Sequence, residues 1–433
     1  MARYTISSSF LGVVLSVRLA FSKRSWPYLA AAAVPWLLCA GQRCVTRLAA
    51  LARHRRSLSG YYRWLSDGTW RLEVFFKCLF DLIVRTFRIA DLTLVLDDTL
   101  SPKWGRGIFG TAFHFDHTAR PRAGYIWGHN WVVLAAVVQV GTLMWVALPF
   151  WVALYRSEKT CPRPRREAGP PGEFRTRHEL AVEALRAVRG WFSGLIRLLA
   201  DGAYFNRSLV GPARALAMGV VSRLRADARL REEKPRKQPK GKRGRKPKRG
   251  PWLPRLSTLA RQARAFETVS VRIYRKTVTL RLREVVAWWP PLSCEVKVVI
   301  ARDPKRPKRV AYLVTTDLSL TAVEVVEAFA RRWTIEQMFS VAKHQLGFDS
   351  AEVRKERSVR RHAALCLALV TFVEVWAYQV GRRLRARSFS AKLAAVREET
   401  IRQTIFACAP RRRGLREMAG TLAQLFSTAT RAA

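Results

Sequence analysis

Three acidic side chains, Asp97, Asp201 and Glu336, are the groups in this chain best suited to chemistry. Asp97 follows the apolar run 92–96 and Asp201 follows the shorter run 195–200, so each is expected at the end of a buried strand. Glu336 lies later, in a segment with helical spacing. Three carboxylates at one sheet edge would need compensating charge, which two Mg²⁺ or Mn²⁺ ions supply. Such a pair of ions supports in-line attack on a phosphodiester.

The segment around Glu336, residues 330–343, is expected to form one helix. Arg332 precedes Glu336 by one turn and Lys343 follows it by two turns, so the acid lies between two cations. Taken alone, this pattern is typical of a solvated salt-bridge ladder on a surface. The two upstream acids favour the alternative, in which Glu336 completes an acidic site.

The order of apolar and polar segments predicts an α/β fold. Residues 1–88 are expected to form a helical N-terminal DNA-binding region, although the same residues fit a packed helical domain with a basic exterior equally well. Residues 89–348 follow the pattern of three strands, helix, strand, helix, strand, which matches a ribonuclease-H-like catalytic core. A basic and β-rich insertion is expected to interrupt that core at about 230–318, and residues 349–433 are expected to be helical.

The net charge points to a polyanionic partner. The 433 residues include 78 Lys and Arg against 31 Asp and Glu, a formal charge of +47. Nucleic acid is the expected partner and an anionic membrane is the rival. The run 232–250 is almost entirely Lys, Arg, Pro and Gly, and we expect it to contact DNA phosphates rather than serve as a solubilising linker. Its central cations are Lys242, Arg243, Arg245 and Lys246.

Three further patterns have two interpretations each. Residues 131–154 carry no charge and are long enough for a membrane span, but polar residues near the middle favour two buried strands joined by a turn, so no membrane is expected. His114 and His117 could bind a metal, yet no third ligand lies nearby. Trp288 and Trp289 end a predicted strand, where they could either stack on an unpaired base or pack against the edge. Seven scattered cysteines fit a reducing cytoplasm.

Together these motifs resemble the DDE transposases of bacterial insertion sequences that carry a Tyr-Arg-Glu-Lys signature. Here the signature is Phe329-x2-Arg332-x3-Glu336-x6-Lys343, with three of the four residue types and all of the spacings. The family's first motif, Asp-x-Thr, is similar to Asp97-Asp98-Thr99. The doubled aspartate leaves the first acid open between Asp97 and Asp98, and the motif favours Asp97. The second motif resembles residues 201–204.

The resemblance implies metal-dependent cleavage at transposon ends and strand transfer into target DNA. It implies that Asp97, Asp201 and Glu336 bind two divalent ions, and that Arg332 and Lys343 contact phosphates. Phe329 lacks the phenol hydroxyl of the signature tyrosine. The implied partners are double-stranded DNA, as terminal inverted repeats and target, and a second copy in a synaptic homodimer at the nucleoid of a bacterial cytoplasm. The alternative is a ribonuclease-H-like DNA-binding protein that has lost catalysis.

Overall fold

A computed structural model of the chain describes residues 8–39, 43–51, 57–116, 124–161, 174–232 and 250–408. Within these residues a ten-stranded sheet forms the centre of the molecule. Its strands are β1 (Leu92–Pro102), β2 (Ala112–Asp116), β3 (Gly124–Gly141), β4 (Met144–Tyr155), β5 (Ile196–Ala200), β6 (Met218–Arg223), β7 (Glu267–Ile273), β8 (Lys276–Trp289), β9 (Cys294–Asp303) and β10 (Arg306–Thr315).

Helices surround this sheet. They are α1 (Ser8–Leu15), α2 (Trp26–Leu38), α3 (Val45–Leu51), α4 (Leu58–Ser66), α5 (Leu72–Phe87), α6 (Arg177–Trp191), α7 (Arg207–Ala215), α8 (Leu256–Arg261), α9 (Ala322–Arg331), α10 (Thr334–Leu346), α11 (Glu356–Val380), α12 (Arg382–Arg385) and α13 (Phe389–Cys408). The amphipathic α6 begins with a complete capping box, in which Thr176 and Glu179 satisfy each other's backbone N–H groups.

The strand order β4-β3-β1-β5-β6 defines the core of the sheet. β3 pairs antiparallel with both β1 and β4, whereas β1, β5 and β6 run parallel to one another. The parallel strands are buried on both faces, which explains why β1 and β5 begin as uninterrupted apolar runs. The expected ribonuclease-H-like α/β class is confirmed. Residues 131–154 form most of β3 and β4, as the two-strand interpretation predicted.

The β-rich insertion extends the central sheet. β10 pairs antiparallel with β6, and β9, β8 and β7 follow outward in that order. This pairing satisfies the edge of β6, whose backbone groups would otherwise be exposed. The helix α9 packs across these strands, so the insertion and the later signature segment belong to one packed unit.

Two local predictions were wrong. Asp97 and Asp98 do not end their strand, because β1 continues to Pro102 by pairing with β3 after its pairing with β5 has stopped at Leu96. The signature segment is also not one helix. α9 ends at Arg331 and α10 begins at Thr334, and the amides of Arg332 and Trp333 bond to carbonyls three residues back in a tight turn.

The N-terminal and C-terminal helices pack together. α11 contacts α1, α4, α5 and β4, and the guanidinium of Arg361 donates hydrogen bonds to the carbonyls of Trp64, Leu65, Gly68 and Trp70. By length and composition, α11 is the one helix in the described residues that could cross a membrane, yet 83% of its most apolar window is buried inside the protein. The domain limits at 88 and 348 stay predictions.

Candidate active site

Asp97 and Glu336 meet through the side chain of Arg332. The Nη1 atom of Arg332 lies 3.1 Å from Oδ2 of Asp97, and its Nη2 atom lies 2.7 Å from Oε1 of Glu336. The turn between α9 and α10 points Arg332 toward β1, and its side chain is 13% exposed. The predicted pairing of Arg332 with Glu336 is therefore present. The same guanidinium also binds Asp97, which lies 235 residues earlier in the chain.

Asp201 lies beside this group because of strand register. Leu96 of β1 pairs with Ala200 of β5 in parallel register, so Asp97, within β1, and Asp201, just after the end of β5, follow at the same level. Asp201 is paired with the Nε atom of Arg223 at 3.4 Å, a long contact to a side chain that is 61% exposed. Of the acids in this site, Asp201 has the weaker local restraint.

The electrostatics single out Asp97. Its pKa is raised to about 7, chiefly by burial and to a smaller extent by the negative charges of Asp98 and Asp201, while Arg332 and the backbone N–H of Asp98 act in the opposite direction. Burial of a carboxyl group favours its neutral form unless a cation compensates. A divalent cation bound here would supply the positive charge that favours the ionised form of Asp97.

Asp98 faces the other side of the sheet, as alternation along a strand requires. Its Oδ2 atom lies 2.9 Å from Nη1 of Arg177 on α6, and its Oδ1 atom accepts a hydrogen bond of 2.9 Å from the hydroxyl of Tyr204. The geometry thus supports Asp97 as the acid that faces Glu336. Arg177 and Tyr204 were missed from the sequence, although Tyr204 ends the motif that begins with Asp201.

The donor set fits a hard divalent cation. Asp97, Asp201 and Glu336 offer carboxylate oxygens, the ligands that Mg²⁺ and Mn²⁺ prefer. As the side chains stand, no three acidic, His or Cys groups among the described residues converge tightly enough to form a ready metal cage. The reason is visible for Asp97 and Glu336, since the guanidinium of Arg332 occupies the space between them.

Lys343 is on the same helix as Glu336, and its side chain reaches β1 beyond Asp97. Its Nζ atom donates a 2.6 Å hydrogen bond to the carbonyl of Leu100, and burial lowers the pKa of its ammonium group. The expected phosphate contact of Lys343 would require this bond to be released.

A cleft of about 410 Å³ opens where α9 meets α10, and none of Asp97, Asp201 and Glu336 lines it. Its walls come from the β3–β4 turn, the β7–β8 turn and the start of α10. Arg331 stacks on Trp145, with its guanidinium carbon 4.0 Å from the ring centroid, and Trp333 is 44% exposed at the rim. The sequence interpretation did not include Arg331 and Trp333 among the site residues.

The remaining predicted DNA contacts have mixed outcomes. Trp289 is 8% exposed and stacks on Phe205 at 4.8 Å, so its ring serves packing and is not a platform for a base. Trp288 is half-buried and pairs through its backbone with Arg231. The cations Lys242, Arg243, Arg245 and Lys246 lie outside the described residues.

The sequence pattern of the DDE superfamily endonuclease family matches residues 20–283, more than half of the chain. The protein belongs to this family. The match includes Asp97 and Asp201 with the strands that carry them, and it ends before α10 with Glu336. A comparison with curated proteins found no match.

Membership makes this DDE endonuclease a nuclease of the transposase type, with DNA as the substrate that the family implies. DDE superfamily enzymes generally depend on divalent metal ions. The ribonuclease-H-like sheet and the adjacent acids described above are the structural counterpart of that family assignment.

Proposed function

We propose that this DDE endonuclease is a transposase that cleaves DNA at transposon ends and joins the ends to target DNA. The observation that carries the proposal is the meeting of Asp97 and Glu336 around Arg332, with Asp201 in register on the neighbouring strand. These residues come from three distant parts of the sequence. Stability does not require such a concentration of charge in a half-buried position, whereas phosphoryl transfer does.

Asp97, Asp201 and Glu336 are the side chains that would hold two Mg²⁺ or Mn²⁺ ions. When bound, such ions supply an activated nucleophile and stabilise the leaving oxygen of the phosphodiester. The protein itself contributes rigidity, since β1 and β5 are buried and carry two of the acids in fixed register. The third acid is carried by α10, whose apolar face packs against β1, β4 and α11.

DNA bound at the acids would extend to the cleft at the junction of α9 and α10. Arg272, Arg275 and Arg331 line it and can neutralise phosphates, which supplies most of the affinity of proteins for DNA. Trp145 and Trp333 add aromatic surface, and aromatic rings next to arginines suit unpaired nucleotides. The net charge of +47 favours contacts that extend well beyond this cleft.

The finer steps of the proposal rest on the Tyr-Arg-Glu-Lys resemblance. They are strand transfer, recognition of terminal inverted repeats, and a synaptic homodimer in the bacterial cytoplasm. The six cysteines whose side chains the structure describes are buried and form no disulfide with one another, which is compatible with a reducing compartment. Arg332 and Lys343 are the proposed phosphate contacts of the transposon end.

The test is cleavage of DNA that carries the inverted repeats flanking the reading frame, with Mg²⁺ and purified protein. We expect cleavage at the repeat tip by the wild type and none by Glu336→Gln, which keeps the shape and removes the charge. Both proteins should bind the DNA. Normal cleavage by Glu336→Gln would refute the assigned acids, and binding without cleavage by either protein would favour the inactive DNA-binding alternative.

A further inference from the structure

Arg332 uses the oxygens that a divalent ion would need. Its guanidinium donates to Oδ2 of Asp97 and to Oε1 of Glu336, while Oδ1 of Asp97 accepts a 2.9 Å hydrogen bond from the backbone N–H of Asp98. Both oxygens of Asp97 are thus engaged. Direct carboxylate ligation of Mg²⁺ requires oxygen–metal distances of about 2.0–2.1 Å, which leaves no room for a guanidinium on the same lone pairs.

The surroundings of Arg332 allow its guanidinium to be released from Asp97 and Glu336. It is anchored at the break between α9 and α10, where tight backbone turns replace the regular helix. The ring of Phe329 lies 5.7 Å from its guanidinium carbon and gives only a weak contact. The guanidinium group matches phosphate oxygens as well as it matches carboxylates, so a phosphate can replace the acids as its partner.

From this geometry we propose that Arg332 is a displaceable counter-ion of the acidic site. It neutralises Asp97 and Glu336 until a divalent ion takes over their oxygens, and the released guanidinium then binds a phosphate of the DNA. Metal ions and DNA therefore favour each other's binding. A metal ion that binds the carboxylates releases the guanidinium for a phosphate, and a phosphate that binds the guanidinium frees the carboxylates for a metal ion. The inference rests on the proposed function and adds an order of events to it.

The chain contains a matched control for this idea. Arg177 pairs with Asp98 at 2.9 Å, one residue along β1, but on the opposite face of the sheet. Removing Arg177 deletes the same charge from the neighbouring carboxylate of β1. It leaves the oxygens of Asp97 and Glu336 occupied by Arg332.

The experiment is a Mn²⁺ titration of the full chain without DNA, with free Mn²⁺ measured by electron paramagnetic resonance. We expect Arg332→Ala to bind Mn²⁺ about tenfold more tightly than the wild type, equivalent to about 1.4 kcal/mol. Arg177→Ala should stay within about twofold of the wild type, as a charge that does not compete for the ligand oxygens should. Arg332→Gln, which removes the charge and keeps a shorter polar side chain, provides a second variant if the alanine protein folds poorly.

Addition of a short DNA duplex should tighten Mn²⁺ binding to the wild type and leave Arg332→Ala nearly unchanged. Equal or weaker Mn²⁺ binding by both Arg332 variants would overturn the counter-ion role. An equal gain in Arg332→Ala and Arg177→Ala would also overturn it, because the effect would then be one of general charge. If Asp97→Asn binds Mn²⁺ as the wild type does, the proposed metal ligands fail as well, which separates the two conclusions.

Discussion

The hydroxyl of Tyr204 joins the two strands that carry the first two acids. It donates a 2.9 Å hydrogen bond to Oδ1 of Asp98 on β1, while its own backbone belongs to the short turn that begins at Asp201. The ring is 3% exposed and packs beside His178. Tyr204→Phe removes this hydroxyl and preserves the ring, so it tests whether one bond sets the spacing between Asp97 and Asp201.

The expected magnitude follows from the surroundings of Asp98. A hydrogen bond to a charged group contributes roughly 1.5–3 kcal/mol, and loss of the donor leaves a partly buried acceptor without it. Asp98 retains Arg177, and its side chain is 20% exposed, so water can replace part of the bond. We therefore expect Tyr204→Phe to lower the free energy of unfolding by about 1.5 kcal/mol, the low end of that range.

The effect on cleavage should exceed the effect on DNA binding. A looser turn misplaces Asp201 relative to Asp97, and we expect about a tenfold loss of cleavage rate, equivalent to about 1.4 kcal/mol in the barrier. Cleavage would be measured in single turnover and stability by urea unfolding. Tyr155→Phe is the control, because the Tyr155 hydroxyl bonds to no residue that the structure describes. Unchanged cleavage in Tyr204→Phe would refute the positioning argument.

Three further predictions concern other parts of the molecule. Trp333→Ala should weaken binding of DNA with an unpaired end by about tenfold, as expected for loss of one aromatic contact. The control is Trp104→Ala, which should leave binding in the same assay unchanged because Trp104 is exposed outside the cleft. Lys392→Met should cost about 3–5 kcal/mol in urea unfolding, because it leaves Glu374 buried without its 2.7 Å partner; the double variant with Glu374→Leu should recover much of that loss. Burial lowers the pKa of His362 to about 3 in the folded protein. The unfolded chain therefore binds a proton more readily, and the free energy of unfolding falls as pH drops below about 6.5, by about 2 kcal/mol at pH 5. His362→Leu should lose correspondingly less free energy of unfolding between pH 7 and pH 5. An equal pH dependence in both proteins would contradict this last prediction.

Several features of the site could be read from the chain because they depend on local patterns. Apolar runs identified the strands that carry Asp97 and Asp201, and residue spacing identified the pairing of Arg332 with Glu336. The alternation of strands and helices identified the fold class, since parallel strands need buried, uninterrupted apolar runs. The overall charge identified nucleic acid as the partner to expect.

Other features depend on contacts between distant segments. The extension of the sheet by β7 to β10 follows from the unpaired edge of β6, a property of the assembled fold. The burial of Trp289 against Phe205 follows from the same packing. Periodicity could not find the break between α9 and α10, because no Gly or Pro interrupts that segment.

Composition and spacing by themselves therefore determined which residue types could perform phosphoryl transfer and which strands and helices carry them. Tertiary structure alone decided that Asp97 meets Glu336 while Asp98 turns to Tyr204 and Arg177. The physical reason is the two-residue repeat of a strand. Adjacent side chains point to opposite faces, and the helices packed on each face decide which partners they meet.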